Sequence, residues 1–117
     1  MNPDCMACQR LRLMETRGVE ANPFFVAELQ ETIAVLHDHQ GFEGWTVLLL
    51  KDHVEHLAEL SLARQAAIFH DVARVANAVR SVLSPRRINY ECLGNVMAHV
   101  HWHVIPRYAA PVDPDPK

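Results

Sequence analysis

The sequence predicts an α+β domain, in which about five strands form a mainly antiparallel sheet beside one long helix and a short helix. Short segments rich in aromatic and β-branched residues lie before and after one long segment, residues 62–83, whose apolar residues recur every three or four positions. The chain has 117 residues, enough for one domain with its own core. We expect residues 1–108 to form that domain and the proline-rich residues 109–117 to be a flexible tail.

Strands are predicted wherever four to seven residues combine β-propensity with flanking turn residues. Two glycines in residues 37–44 predict a hairpin loop, and Gly94 and Asn95 predict a turn before the last strand. The predicted strands are residues 24–30, 32–37, 45–50, 87–93 and 99–105.

The long helix has recognisable ends in the sequence. Ser61 is a good N-cap and Pro85 terminates the helical pattern. For residues 51–60 the sequence predicts a polar turn followed by a short helix. Residues 5–17 begin with a Cys-x-x-Cys pair, at 5–8, and predict a knuckle that leads into one or two helical turns.

Composition excludes several classes of function. The net charge is −3, so the chain lacks the basic stripe that binds a DNA or RNA polymer. No apolar run is long enough to cross a membrane, and the N-terminal residues contain no signal-peptide core. Three cysteines, two of them in the Cys-x-x-Cys, favour reduced thiols over a disulfide framework. We therefore expect a cytoplasmic protein without a membrane or nucleic-acid polymer as partner.

The run HVHWHVIPR, residues 99–107, contains three alternating histidines. Because residues two apart in a strand share a face, His99, His101 and His103 should form one row. Val100 and the apolar residues that follow should point toward the helix, which leaves the histidines on the other face, accessible to a ligand. The row is compatible with a metal site, a catalytic strand or a polar surface.

Neutral imidazole is both a metal ligand and a nucleophile near neutral pH. His101 is the middle residue and has a histidine on each side, so the spacing favours it as the nucleophile. Attack on phosphorus also requires donors for the phosphoryl oxygens. His103, backbone N–H groups and the amide of Asn95 are candidates.

The Cys5-x-x-Cys8 pair has the spacing of half a zinc site. Two histidines would complete it, and His53 and His99 are the best candidates. The alternative is a pair of free, partly buried thiols, with His53 at a solvated helix start.

The histidine run resembles the His-φ-His-φ-His-φ-φ motif of the histidine triad (HIT) superfamily. The LGN tripeptide ahead of it and the VIPR segment at its end are similar to bacterial HIT proteins of the diadenosine-tetraphosphate-hydrolase type. The resemblance extends over most of the chain, from the Cys-x-x-Cys through the His37-Asp38 pair to the INYECLGN segment. It implies a HIT-like fold, a homodimer, and a hydrolase or transferase that acts on nucleoside phosphates.

The resemblance also implies roles for individual residues. His101 would attack the α-phosphorus and form a covalent nucleotidyl-histidine, which water or phosphate resolves. His103 and Asn95 would contact the α-phosphate, and His99 would support the nucleophile. The remaining implied residues are Asp38 at the ribose hydroxyls, His37, Asn89 and Gly94 at the nucleotide, and Cys5, Cys8, His53 and His99 around a structural zinc ion.

The chain departs from the family pattern at three points. Val96 stands where many members have Ser or Thr, Leu50 replaces the usual proline, and the tail lacks a tryptophan. The loss of a hydroxyl at 96 puts leaving-group protonation in question. It also leaves open an alternative function, a nucleotide- or zinc-binding module that acts mainly through partners.

Overall fold

The computed structural model describes residues 2–113. Two α-helices and five strands follow one another as α1 (Met6–Arg17), β1 (Phe25–Glu28), β2 (Thr32–Leu36), β3 (Thr46–Leu50), α2 (Leu62–Leu83), β4 (Arg87–Glu91) and β5 (His101–Arg107). Single 3-10 turns lie at Val19–Ala21 and Leu57–Glu59. No helix in this part of the chain is long and apolar enough to cross a membrane.

The five strands form one sheet in the order β1-β2-β3-β5-β4. Every neighbouring pair is antiparallel. The α+β prediction is therefore confirmed. Because β5 lies between β3 and β4, its side chains have neighbours on both sides, which makes it a well-supported strand for a functional site.

Helix α2 covers one face of the sheet, as the apolar spacing predicts. Ser61 caps it, with its Oγ accepting the N–H of Arg64 at 3.2 Å. Val72, Val75 and Ala76 pack on buried residues of the sheet, among them Leu48 and Val104. Burial of each such aliphatic side chain contributes about 1.5–3 kcal/mol to the free energy of unfolding.

One buried carboxylate links α2 to the sheet. Asp71 is fully buried and accepts hydrogen bonds from the backbone N–H of Gln30 (3.3 Å), the N–H of Glu31 (2.9 Å) and the hydroxyl of Thr32 (2.9 Å). Gln30 and Glu31 lie in the turn between β1 and β2, and Thr32 is the first residue of β2. Asp71 therefore fixes the hairpin against the helix, and its burial is matched by partners.

Helix α1 covers the opposite face. Ala7, Leu11 and Met14 pack against Ile33, Val35, Val47 and Leu49 of the sheet. The prediction of only one or two helical turns in residues 5–17 is wrong. Burial of this narrow apolar stripe against the sheet stabilises three full turns, although charged residues flank the stripe. Residues 51–60 contain only the Leu57–Glu59 turn, so the short helix of the fold lies at the N-terminus.

The first part of the predicted flexible tail is packed against the domain. Arg107 donates from Nε and Nη2 to the two carboxylate oxygens of Asp113, at 2.9 and 3.1 Å, and the N–H of Tyr108 donates to the same group at 2.8 Å. Asp113 is buried. Residues 109–113 thus form a turn that is hydrogen-bonded to the end of β5, and residues 114–117 of the predicted tail lie outside the described part of the chain.

Candidate active site and metal centre

Strand β5 places His101 and His103 on the face that α1 covers. Val104 and the half-buried Trp102 lie on the α2 side, as the alternation predicts. The prediction of an open histidine row is wrong in two respects. His99 precedes the strand, and His99 and His101 are only 1% and 6% exposed. The layer formed by α1, with Met97 packed against it, covers this face.

A cavity of about 550 Å³ gives access to the two strand histidines. Its walls come from α1, from residues 21–24, from the ends of β2 and β3, and from the segment that precedes β5. Apolar side chains make up most of the lining. The polar or ionisable lining residues are Arg10, Asn22, His37, Asp38, Asn95, His101 and His103.

Most of the residues predicted to bind a nucleotide meet at this cavity. The exceptions are Asn89 and Gly94, which are not among its lining residues. Asn89 lies on β4 opposite Ile105, two residues from the pair formed by Glu91 and His103, and is exposed. Gly94 lies in an exposed segment, with no heavy atom within 4 Å of where a Cβ would stand. Their roles stay predictions.

The hydrogen bonds of His101 define which of its nitrogens is free. Nδ1 of His101 lies 2.7 Å from the backbone carbonyl oxygen of His99. A carbonyl only accepts, so Nδ1 carries the hydrogen and donates it. In the neutral ring Nε2 then holds a lone pair, which is the form that a nucleophile requires.

His103 has the opposite arrangement. The indole Nε1 of Trp45 lies 2.9 Å from Nδ1 of His103. Indole nitrogen only donates, so Nδ1 accepts and the hydrogen of the neutral ring is on Nε2. Burial, and then the charges of His101 and His37, lower the pKa of His103 to about 4. His103 is therefore a neutral ring whose Nε2–H can donate into the cavity.

Aromatic neighbours hold Trp45 in place. The ring of His37 stacks on it, with centroids 3.8 Å apart and planes 4° from parallel, and Phe42 meets it edge-on at 6.0 Å. Sequence reasoning placed Trp45 only at the start of a buried strand. The usable signal was the antiparallel pairing of β3 with β5, which puts residues 45 and 103 diagonally on one face.

The Cys-x-x-Cys and the two predicted histidines converge into one cluster. Cys5 is the N-cap residue of α1 and Cys8 lies in its first turn, while His53 follows β3 and His99 precedes β5. One potential ligand atom from each residue lies within 4.8 Å of all the others. Nδ1 of His99 is 3.5 Å from both sulfurs, and Nδ1 of His53 is 3.3 Å from Sγ of Cys8.

The two imidazoles of this cluster direct lone pairs at each other. Nε2 of His99 donates to the Leu50 carbonyl at 2.7 Å, and Nε2 of His53 donates to the Glu55 carboxylate at 3.0 Å. Each Nδ1 is then unprotonated in the neutral ring, yet the two Nδ1 atoms lie 3.2 Å apart. Two facing lone pairs repel each other unless a proton or a metal ion lies between them, and the hydrogen bond with Glu55 raises the pKa of His53.

The donor set and spacing suit tetrahedral zinc. Bond lengths of about 2.05 Å to nitrogen and 2.3 Å to sulfur imply ligand separations of about 3.3 and 3.6 Å for N···N and N···S. Burial lowers the pKa of His99 and so favours the neutral ligand form. For Cys5 burial acts to raise the pKa, but hydrogen bonds from Cys8 and His53 outweigh it and lower the pKa, which favours thiolate.

Comparisons with known proteins agree with this fold. The family model described as HIT domain matches residues 19–110. The curated protein called Protein hit, from Bacillus subtilis, is 32% identical over 88 residues, which is 71% of this chain and 61% of that protein. The chain thus spans less than two thirds of this relative's length.

Solved structures show the same architecture. A HIT family protein from Bacillus anthracis has a TM-score of 0.75 at 24% identity, over 97% of this chain and 79% of the other. A histidine triad family protein from Mycobacterium smegmatis, described as zinc-bound, has a TM-score of 0.73 at 21% identity, over 97% of this chain and 85% of the other. At these identities the likeness concerns the fold.

Proposed function

Because the chain belongs to the HIT domain family, we propose that it cleaves the α-phosphate linkage of a nucleoside phosphate derivative through a covalent nucleotidyl-histidine on His101. The observation that carries the proposal is the complementary state of two neighbouring rings. His101 presents a free Nε2 and His103 presents an Nε2–H, with ring centroids 5.2 Å apart. A nucleophile and a donor for the phosphoryl group are thereby adjacent.

In the first step the Nε2 lone pair of His101 attacks the α-phosphorus. An N–P bond forms, the P–O or P–N bond to the leaving group breaks, and the leaving group departs with that electron pair and takes up a proton from solvent. The Nδ1–H of His101 remains hydrogen-bonded to the backbone carbonyl of His99. This bond orients the ring and stabilises the positive charge that the ring acquires. His103 and Asn95 donate to the phosphoryl oxygens as their charge develops.

In the second step water attacks the phosphorus of the adduct. The new P–O bond forms as the N–P bond breaks, and the electron pair returns to Nε2 of His101. The attacking water gives up one proton to solvent, which balances the proton that the leaving group took up, so the products are a nucleoside monophosphate and the protonated leaving group. Phosphate in place of water would give a nucleoside diphosphate. Dinucleoside polyphosphates and adenylyl compounds are the substrate classes that fit this chemistry.

The rest of the cavity suits a nucleoside. Asp38 is exposed at the cavity, and its two acceptor oxygens match a pair of ribose hydroxyls. His37 lies beside it, with Nδ1 3.3 Å from its carboxylate. The apolar wall formed by Leu13, Met14 and Phe24 would take the base. Asn89, on β4, and Gly94, in the segment between β4 and β5, do not line the cavity, and their contact with the nucleotide is proposed only by analogy with the family.

Zinc is proposed as a structural ion held by Cys5, Cys8, His53 and His99. The facing lone pairs of the two histidines support this more strongly than the Cys-x-x-Cys alone does. When bound, zinc would supply coordination bonds that hold the N-terminus of α1 to the residues flanking β3 and β5. The hydrogen bonds of the Nε2 atoms to Leu50 and Glu55 are the outer partners that such ligands usually have.

Two further expectations belong to the same proposal. We expect a cytoplasmic homodimer without nucleic-acid polymer or membrane partners. The alternative, a nucleotide- or zinc-binding module acting through partners, is favoured by Val96. That side chain is 93% exposed at the cavity and offers no hydroxyl to a leaving group.

Trapping the covalent intermediate tests the proposal. Mixing the protein with an adenylated substrate and quenching in mild base should yield a mass increase equal to one adenylyl group. The adduct should be absent in His101→Ala and present in His70→Ala, a matched control on the exposed side of α2. Absence of both adduct and turnover across a panel of dinucleoside polyphosphates and adenylyl amides would favour the binding module.

A further inference from the structure

Trp45 lies at the edge of the candidate site without lining its cavity. Its only polar atom, the indole N–H, points at Nδ1 of His103 at 2.9 Å. We infer that Trp45 is a positioning residue for His103: by occupying Nδ1 it keeps the hydrogen of that ring on Nε2, facing the phosphoryl group. This inference rests on the proposed function for the identity of the ligand, but the state of the ring can be measured without any ligand.

The indole of Trp45 offers His103 a hydrogen-bond donor and no acceptor. Its nitrogen has a hydrogen and no available lone pair, so it can only donate. Moving the hydrogen of His103 to Nδ1 would bring two N–H groups together, and protonating the ring fully would do the same. Either change loses the hydrogen bond and leaves a half-buried N–H without an acceptor, which is unfavourable.

The indole is itself restrained. His37 stacks on one face of it, and Phe42 contacts it edge-on. The guanidinium carbon of Arg107 lies 4.8 Å from the centroid of Phe42, and Arg107 is held by the buried Asp113. These contacts connect the turn at residues 109–113 to the ring of His103. A rotation of Trp45 that would release Nδ1 must disturb that packing.

The consequence concerns the role of His103 in the reaction. A ring locked with its hydrogen on Nε2 serves as a hydrogen-bond donor, not as an acid that gives up a proton. It stabilises the phosphoryl oxygens through the whole cycle and does not change its protonation state. The proton that reaches the leaving group must then come from another group or from water.

Nitrogen NMR of histidine-labelled protein measures the state of the ring directly. Two-bond ¹H–¹⁵N correlation spectra separate the two neutral tautomers, and His103→Gln identifies the signal of His103. Trp45→Phe keeps an aromatic ring for the stack and removes the N–H. Trp102→Phe is the matched control, because it removes an indole from β5 on the opposite face, where its N–H has no partner among the described residues.

We expect His103 to be the pure Nε2–H tautomer in the unmodified protein and in Trp102→Phe, and a mixture of tautomers in Trp45→Phe. If Trp45→Phe is folded by circular dichroism and leaves the tautomer unchanged, the inference is wrong. Turnover by Trp45→Phe should fall about tenfold, with KM changed less than about threefold, as expected for loss of one oriented donor. An absent nucleotidyl-His101 adduct in the unmodified protein would refute the proposed function alone, because the tautomer result does not depend on it.

Discussion

The backbone carbonyl of His99 accepts the Nδ1–H of His101 at 2.7 Å, while the side chain of His99 belongs to the Cys/His cluster. One residue thus connects the Cys/His cluster to the ring proposed as nucleophile. His99 is 1% exposed, and its Nε2 is tied to the Leu50 carbonyl, so its backbone has little freedom. Loss of the cluster should therefore alter the orientation of His101 as well as the stability of the fold.

The first prediction concerns the zinc content. Cys8→Ser should lose bound zinc, measured by elemental analysis of protein purified without added metal. Its melting temperature should fall, because a ligand that binds only the folded state stabilises that state. Cys92→Ser is the control, since Cys92 is exposed and does not belong to the cluster. Equal zinc contents in the two variants, or no zinc in the unmodified protein, would contradict the proposed ligand set.

Much of the fold follows from periodicity that can be seen in the sequence. The stripe of α2 and the alternation in β5 are regular over many residues, so the sequence predicts α2 and the two faces of β5 correctly. Helix α1 was underestimated because only a few of its residues are apolar, and their value depends on the sheet beneath them. The turn at residues 109–113 depends on Asp113 meeting Arg107, a contact that proline content does not reveal.

The site shows the same division. Spacing predicted Cys5 and Cys8 as half a zinc site, the family resemblance implied His53 and His99 as the other ligands, and the structure gathers all four. The tautomers of His101 and His103 could not be predicted, because each depends on one tertiary contact with a carbonyl or an indole. The burial of the histidine row was also missed, since it requires knowing that α1 lies over that face.

A second prediction tests the buried carboxylate on α2. Asp71→Ala should lower the free energy of unfolding by about 3–5 kcal/mol, because it removes the acceptor of three hydrogen bonds and leaves buried donors unsatisfied. Urea unfolding measures the change. Asn77→Ala, at an exposed position of the same helix, should change it by less than about 0.5 kcal/mol. A loss below about 1 kcal/mol in Asp71→Ala would show that water replaces the carboxylate.

A third prediction concerns pH. The pKa of His103 is about 4 in the folded protein against 6.5 for the exposed group, mainly because of burial. Between these values the unfolded chain binds a proton that the folded chain does not. The free energy of unfolding should therefore fall as pH falls from 6.5 to 4, by at most about 1.4 kcal/mol per unit from this group.

The comparison of unmodified protein with His103→Gln isolates this contribution. His101, His37 and Glu91 face His103 from its own strand, from the end of β2 and from β4, and they remain in both proteins, as does the Cys/His cluster. Urea unfolding at several pH values should give a shallower decline for His103→Gln across the window. Parallel curves would mean that His103 titrates near its ordinary value, in conflict with its burial and its bond to Trp45.

The last prediction tests recognition of the sugar by Asp38. Its side chain is 76% exposed and lies at the cavity, so its loss should leave the fold intact. Asp38→Ala should raise KM for a ribonucleotide substrate about 10- to 100-fold, the range for losing hydrogen bonds to a charged acceptor, with a smaller change in kcat. Glu43→Ala, an exposed acidic position in the same loop, is the control.

A deoxyribose analogue makes the test specific to the hydroxyls. The unmodified protein should discriminate against the 2′-deoxy substrate, and Asp38→Ala should treat the two substrates nearly alike, because the acceptor that distinguishes them is gone. If Asp38→Ala raises KM equally for both substrates and keeps the discrimination between them, the carboxylate acts through its charge or through His37, 3.3 Å away. In that case the ribose must be bound by other groups at the cavity, and Asn95 becomes the next residue to replace.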